Sequence, residues 1–153
     1  MPFFHKAFQY EILTPAGLVH SGQAVHAVLP SQDGQVGVLG GRAPLAVVID
    51  GGLLILDRED GLREEFFVHQ GFAQTREDRL TVVVEECTAV GDIDAEAAFA
   101  QIEQLRQRRP GEELDPTRRA ELLRLARLRF NIAQRARKEH AQVRLDEQGA
   151  SDD

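Results

Sequence analysis

The stretch GQVGVLGGRAP, Gly34 to Pro44, holds four glycines and closes on Arg-Ala-Pro. Glycine-rich loops can cradle phosphate, because backbone N–H groups approach the anion with no Cβ in the way. That chemistry has further requirements. A P-loop needs Gly-x-x-x-x-Gly-Lys-Ser/Thr, whose lysine reaches the phosphates, and this stretch has no lysine. A dinucleotide fingerprint needs Gly-x-Gly-x-x-Gly between a strand and a helix. The spacing here is Gly-x-x-Gly-x-x-Gly-Gly, with strand-like runs on both sides. The residues read better as turns: Asp33-Gly34 and Gly40-Gly41 supply positive-φ positions around a short strand, Val36 to Leu39.

Other side chains offer less chemistry. His5, His20, His26, His69 and His140 are scattered. His20 and His26 would share a side only in one continuous strand, and no motif adds the ligands a metal site needs. Glu64-Glu65 and Glu85-Glu86 are adjacent pairs, which a strand sends to opposite faces, so neither forms a general acid/base dyad. Cys87 ends an apolar run and reads as core, not nucleophile. No catalytic constellation assembles, which favours a non-enzyme.

The elements that position these residues follow from composition and period. A chain of 153 residues suffices for one domain, or one domain with a small appendage. A single cysteine excludes an internal disulfide framework and any multi-cysteine zinc site. No apolar run approaches the ~20 residues that span a bilayer. MPFFHKAFQYEIL lacks the apolar stretch of a signal peptide. These features lead us to expect a cytoplasmic protein without its own membrane anchor.

The charge is segmented. Met1–Thr88 carries 6 basic and 12 acidic residues, Ala89–Lys138 carries 11 and 8, and Glu139–Asp153 carries 1 and 5. The period changes near Thr88 as well. Before it, FQYEIL, AVHAVLP, VGVL, LAVVI, LLILD, EEFFVH, GFAQT and LTVVVEE alternate with turn signals, the mark of an antiparallel sandwich or barrel. LREEFFVHQG reads as a hairpin arm after Glu59-Asp60-Gly61. Beyond Thr88 the period is helical. Asp94 is the N-cap of a helix to Arg109 that carries Ala98, Ile102 and Leu105 on one face with Phe99 beside them, and Pro110-Gly111 stops it. Asp115-Pro116 starts a second helix of about 25 residues, or about 38 Å. Its apolar stripe runs through Leu122, Leu125, Ile132 and Ala136. Part of that stripe outruns the first helix and needs another surface. The acidic tail, 141–153, reads as disordered.

The order and spacing of LPSQDGQVGVLGGRAPL (Leu29–Leu45), VIDGGLLIL, EEFFVHQGFAQ, VVVEECTAVGDID and AELLRLARLR resembles the ε subunit of F-type ATP synthases, over about Phe8 to Lys138. The resemblance implies a β-sandwich of about ten strands, here residues 1–88, followed by an antiparallel helical hairpin, 89–140. It implies a non-catalytic rotor subunit of the central stalk, peripheral on the cytoplasmic face of the bacterial inner membrane. The sandwich would bind the γ subunit and the c-ring through the loop Gly34, Gly37, Gly40, Gly41, Arg42, Ala43 and Pro44. The hairpin would fold back or extend into the α/β catalytic head and block ATP hydrolysis. No metal and no nucleic acid is implied.

Two departures bear on that reading. The family has Pro-Gly-His-Ala-Pro or close to it where this chain has Gly40-Gly41-Arg42-Ala43-Pro44. Glycine for proline loosens the turn, and arginine for histidine removes a group that titrates near neutrality. ATP-binding members carry Ile/Leu-Asp-x-x-Arg-Ala. Ile93-Asp94-Ala95-Glu96-Ala97-Ala98 keeps Asp94 but has Ala97 in place of the arginine. The missing cation argues against ATP binding, so no cofactor is expected.

The second helix is basic through Arg118, Arg119, Arg124, Arg127, Arg129, Arg135, Arg137 and Lys138. A solvated helix face is the plain reading. The resemblance implies instead that the first five dock on an acidic segment of the catalytic β subunits, work that suits the guanidinium fork. The alternative from another class is a stand-alone β-sandwich interaction module whose helical hairpin self-associates.

Overall fold

The computed structural model describes residues 6–107 and 114–150. The expectations for His5, for the stop at Pro110-Gly111 and for residues 151–153 lie outside the described residues. The chain divides into two compact units, Met1–Ala89 and Val90–Asp153.

The described residues of the first unit form eight strands: β1 (Phe8–Thr14), β2 (Gly17–Ala24), β3 (His26–Ser31), β4 (Gly34–Leu39), β5 (Leu45–Ile49), β6 (Gly52–Asp57), β7 (Arg63–Arg76) and β8 (Arg79–Ala89). Their order is β2-β1-β8-β7-β5-β3-β4, with β6 paired to β3 and β7. All pairings are antiparallel except β1 with β8, which is parallel. Alternation fixes the register. Phe8, Tyr10 and Ile12 of β1, Leu54 and Leu56 of β6, and Leu80, Val82 and Val84 of β8 all point into one buried cluster. Shifting β1 by one residue would bring Gln9 and Glu11 into that core, and shifting β8 would bring in Thr81 and Glu85, whereas β6 is apolar on both faces.

Strand β7 makes this a two-layer arrangement. Its N-terminal half pairs with β6, from Arg63 to Val68, and its C-terminal half with β5, from Gly71 to Thr75. The change of partner falls at Gln70, which has φ 53°. A positive φ in a non-glycine residue mid-strand is the local kink by which a strand passes between layers.

The resemblance implied about ten strands, and the described residues form eight. The runs EEFFVH and GFAQT are one strand bent at Gln70. In the other direction, β2 has no strand signature in the sequence, because it is an edge strand, exposed along most of its length and without apolar alternation.

The second unit opens with a 3-10 turn, Val90–Asp92, followed by α1 (Ala95–Arg106) and α2 (Pro116–Ala150). Asp94 caps α1, its Oδ1 accepting the N–H groups of Glu96 and Ala97 at 3.0 Å each. Ala95, Ala98 and Ile102 of α1 and Leu125, Ala126 and Ala133 of α2 are buried. Phe99 and Phe130 meet with ring centroids 5.7 Å apart. Helix α2 has 35 residues, not about 25. Its length is therefore about 52 Å at 1.5 Å per residue. The expectation of a disordered tail from 141 is corrected as far as Ala150. Elongating an existing helix needs no new nucleus, and no proline or glycine interrupts Ala141 to Gln148. All residues from Arg137 to Ala150 are exposed.

Candidate docking surface and interface loop

The loop Gly40–Pro44 joins β4 to β5, so no helix N-terminus follows it and the phosphate-loop arrangement is absent there. Its two glycines serve different needs. Gly41 has φ 77°, a left-handed position that suits glycine. Gly40 is not left-handed; it lies so close to the Lys6 carbonyl that a Cβ built there would sit 2.0 Å from the oxygen. The positive-φ expectation thus holds for Gly41 and Gly34 (φ 118°), while Gly40 is small because backbone approaches it. The Gly41 N–H donates to Asp78 Oδ1 at 3.1 Å, and the Leu45 N–H donates to Thr75 Oγ1 at 2.9 Å. Gly41, Arg42, Ala43 and Pro44 are exposed. Gly34 sits at the other end of β4, about 20 Å away at 3.3 Å per residue, and Gly37 lies between them opposite Val28. The seven residues therefore do not form one cluster.

A second feature lies on the outer face of the sheet. Leu13 pairs with Leu18 and with Val83, Val83 with Phe72, and Phe72 with Val48. Directly paired residues share a face, so five apolar side chains form a row across β2, β1, β8, β7 and β5. Val48 is 63% exposed, Leu18 59% and Phe72 53%. The neighbouring row, Glu11, Thr81, Gln74 and Ala46, is mostly polar. A contiguous apolar strip with a polar border is the anatomy of a protein-binding surface.

Two carboxylates anchor polar networks elsewhere on the unit. The Tyr10 hydroxyl donates to Glu64 Oε2 at 2.6 Å, His20 Nε2 lies 2.9 Å from the same oxygen, and Arg58 reaches Oε1 at 3.8 Å. Burial works to raise the Glu64 pKa, but the hydrogen bonds from Tyr10 and His20 and the nearby charges outweigh it and lower it. Burial, then the bond to Glu64, holds the Tyr10 hydroxyl well above its ordinary range. Asp57 takes Arg63 in a fork, Nε at 2.7 Å and Nη2 at 3.1 Å, and His26 Nδ1 at 3.2 Å. The Arg63 bonds are the main reason its pKa is lowered. His20 and His26 thus sit on different strands with different carboxylates. No group of three or more metal-ligating side chains occurs among the described residues. Burial, with the Glu86 charge, pushes the Cys87 thiol up to about 11, which leaves it unreactive.

The profile of the family described as ATP synthase, Delta/Epsilon chain, beta-sandwich domain matches residues 7–90, more than half of the chain. The chain belongs to the ATP synthase epsilon-chain family. It is similar to the ATP synthase epsilon chain of Brucella anthropi, 33% identical over 102 residues, covering 67% of this chain and 76% of that one. The epsilon chain of Afipia carboxidovorans is 32% identical over 112 residues, covering 71% and 82%. In fold it resembles a chain of the Euglena gracilis mitochondrial ATP synthase OSCP/F1/c-ring assembly, with TM-score 0.66 and 18% identity over 83% of this chain and 79% of that one. A chain of the Tetrahymena thermophila central stalk/c-ring assembly gives TM-score 0.52 and 11% identity, covering 84% and 94%.

In this epsilon-family chain the five α2 arginines expected to dock divide by exposure. Arg118, Arg124 and Arg127 are exposed, whereas Arg119 and Arg129 are half-buried. At 100° per residue Arg124 and Arg127 lie within 60° of each other, and Arg135 and Lys138 fall in the same sector. Arg118 and Arg129 lie on the other side of the helix. Asp94 spends its Oδ1 on capping, and Ala97 is exposed in the first turn of α1. No described helix is long and apolar enough to cross a membrane.

The apolar row was missed in the sequence. Its signal was present in LAVVI and GFAQT, where Val48 and Phe72 fall out of phase with the buried Ile49 and Ala73. Only the register shows that they are neighbours. The Tyr10–Glu64–His20 network carried no sequence signal, since its members are 44 and 54 residues from Glu64.

Proposed function

We propose that this chain is a non-catalytic rotor component of an ATP synthase, whose sandwich docks on the γ subunit and the c-ring and whose helices restrain ATP hydrolysis. The observation that carries the reading is the outer apolar row Leu18, Leu13, Val83, Phe72 and Val48, in which Leu18, Phe72 and Val48 are exposed and Leu13 and Val83 half-buried. A strip of this kind favours a permanent protein partner over solvent. Membership of the epsilon-chain family and fold likeness to chains of ATP synthase assemblies support γ as that partner. The loop Gly40–Pro44 would add the second contact, toward the c-ring. The chain would then lie peripherally on the cytoplasmic face of the membrane, coupling ion translocation to ATP synthesis. Helix α2, basic along Arg124, Arg127, Arg135 and Lys138, would dock on an acidic segment of the catalytic subunits. The missing arginine at Ala97 supports a hairpin that works without bound ATP.

The test is add-back of the full chain to a catalytic head that contains γ but lacks this subunit. Binding and ATP hydrolysis are followed together. The reading requires stoichiometric binding and a fall in hydrolysis. Arg124→Glu with Arg127→Glu should leave binding intact and relieve the inhibition. Absence of binding would overturn the docking; inhibition unchanged by the charge reversal would overturn the role of the arginine sector.

A further inference from the structure

The loop Gly40–Pro44 contains two adjacent glycines and four exposed residues, the pattern of a segment that would be mobile if nothing held it. Both of its ends are held, and by the same hairpin. Thr75, near the end of β7, accepts the Leu45 N–H. Asp78, in the two-residue turn between β7 and β8, accepts the Gly41 N–H with Oδ1, and its Oδ2 pairs with Lys6 Nζ at 2.5 Å. Lys6 in turn lies with its carbonyl against Gly40. The turn is a firm base. Glu77 and Asp78 have φ 51° and 58°, the pair of left-handed positions that matches the twist of a hairpin, and Arg76 pairs directly with Arg79. Buried Ala73 and Leu80 flank it on the two strands.

We propose that Asp78 is the positioning residue of the interface loop. Its carboxylate joins Gly41 to Lys6 and so presents Arg42, Ala43 and Pro44 in a preformed conformation to the stalk partner. An exposed Lys–Asp pair alone contributes little to stability. The acceptor for Gly41 is the part that matters, because it ties a loop amide to a rigid hairpin 37 residues away. Holding a loop in its bound conformation removes the ordering cost that docking would otherwise carry. This inference rests on the reading that the loop faces a partner, but the clamp itself can be tested without one.

The left-handed φ of Asp78 allows variants that keep the turn. Asp78→Gly suits the backbone and removes the carboxylate; Asp78→Asn also suits it and keeps an oxygen acceptor for Gly41. Amide hydrogen exchange in the free, full-length chain is read at Gly41, with Val82 as the core reference. Asp78→Gly should speed Gly41 exchange about tenfold, the scale of one lost hydrogen bond, with Val82 unchanged. Asp78→Asn and Lys6→Met should stay within about threefold of the unmodified chain. Unchanged Gly41 exchange in Asp78→Gly would overturn the clamp. Affinity for a γ-containing head is measured alongside and should fall about threefold to tenfold in Asp78→Gly and stay near the starting value in Asp78→Asn. Faster exchange with unaltered affinity would overturn the positioning role. Failure of the unmodified chain to bind the head would overturn the docking reading instead, while the exchange data still decide the clamp.

Discussion

At the residue scale, small groups of side chains carry more than their type announces. Glu64 is the clearest case. In sequence it is half of an adjacent acidic pair; in the fold it accepts from Tyr10 and His20. Its folded pKa is lowered, as is that of Asp57. The sign follows by linkage: carboxylates depressed in the folded state contribute stability that is full above their ordinary values of 4.5 and 3.8, and lost as pH falls through the lowered ones. Thermal midpoints measured downward from pH 6 should therefore fall in acid, and Glu64→Gln should flatten that limb. Glu64→Ala strips the buried Tyr10 hydroxyl of its acceptor and should cost about 1–2 kcal/mol in urea unfolding at pH 7. Gly40→Ala forces a Cβ toward the Lys6 carbonyl and should cost about 1–3 kcal/mol unless the N-terminal segment shifts. The turn glycines Gly34 and Gly41 were legible from their Asp-Gly and Gly-Gly context. The close approach at Gly40 was not, since it depends on a chain segment 34 residues away in sequence from that glycine.

At the element scale, local signals sufficed where periodicity was strong. The β6–β7 hairpin follows from the turn at Glu59-Asp60-Gly61, and α1 from its Asp94 cap. Two features escaped because they depend on pairing. The bend at Gln70, opposite the Asp50-Gly51 turn, exists because β7 serves two partners, a long-range fact. The extent of α2 depends on elongation outlasting packing. Acidic composition suggested disorder from 141, yet Ala, Gln, Arg, Leu and Glu there are good helix formers. Ala141→Pro tests this. Helical ellipticity at 222 nm should drop by about a quarter of the α2 signal, with the sandwich's thermal midpoint unchanged, because proline is incompatible with a helix interior. Ellipticity equal to the parent's would show that residues beyond Ala141 are not helical in solution.

At the scale of the whole molecule, the chain has a β unit and a helical unit. The first presents an apolar row and a clamped loop; the second presents a basic helix longer than its companion needs. The change of period near Thr88 is legible in the sequence; the compact units of the structure are Met1–Ala89 and Val90–Asp153. The apolar row is not legible in the sequence, because it is assembled from five strands. In the proposed function this row seats the chain on γ. The most direct measurement is the affinity of the full-length chain carrying Val48→Asp and Phe72→Asp for a γ-containing head. Both positions are exposed, so the fold should survive, as a far-UV spectrum and melting curve would verify. Placing two carboxylates in a desolvated interface should weaken binding at least about a hundredfold. Affinity within about threefold of the unmodified chain, with the fold intact, would contradict the account.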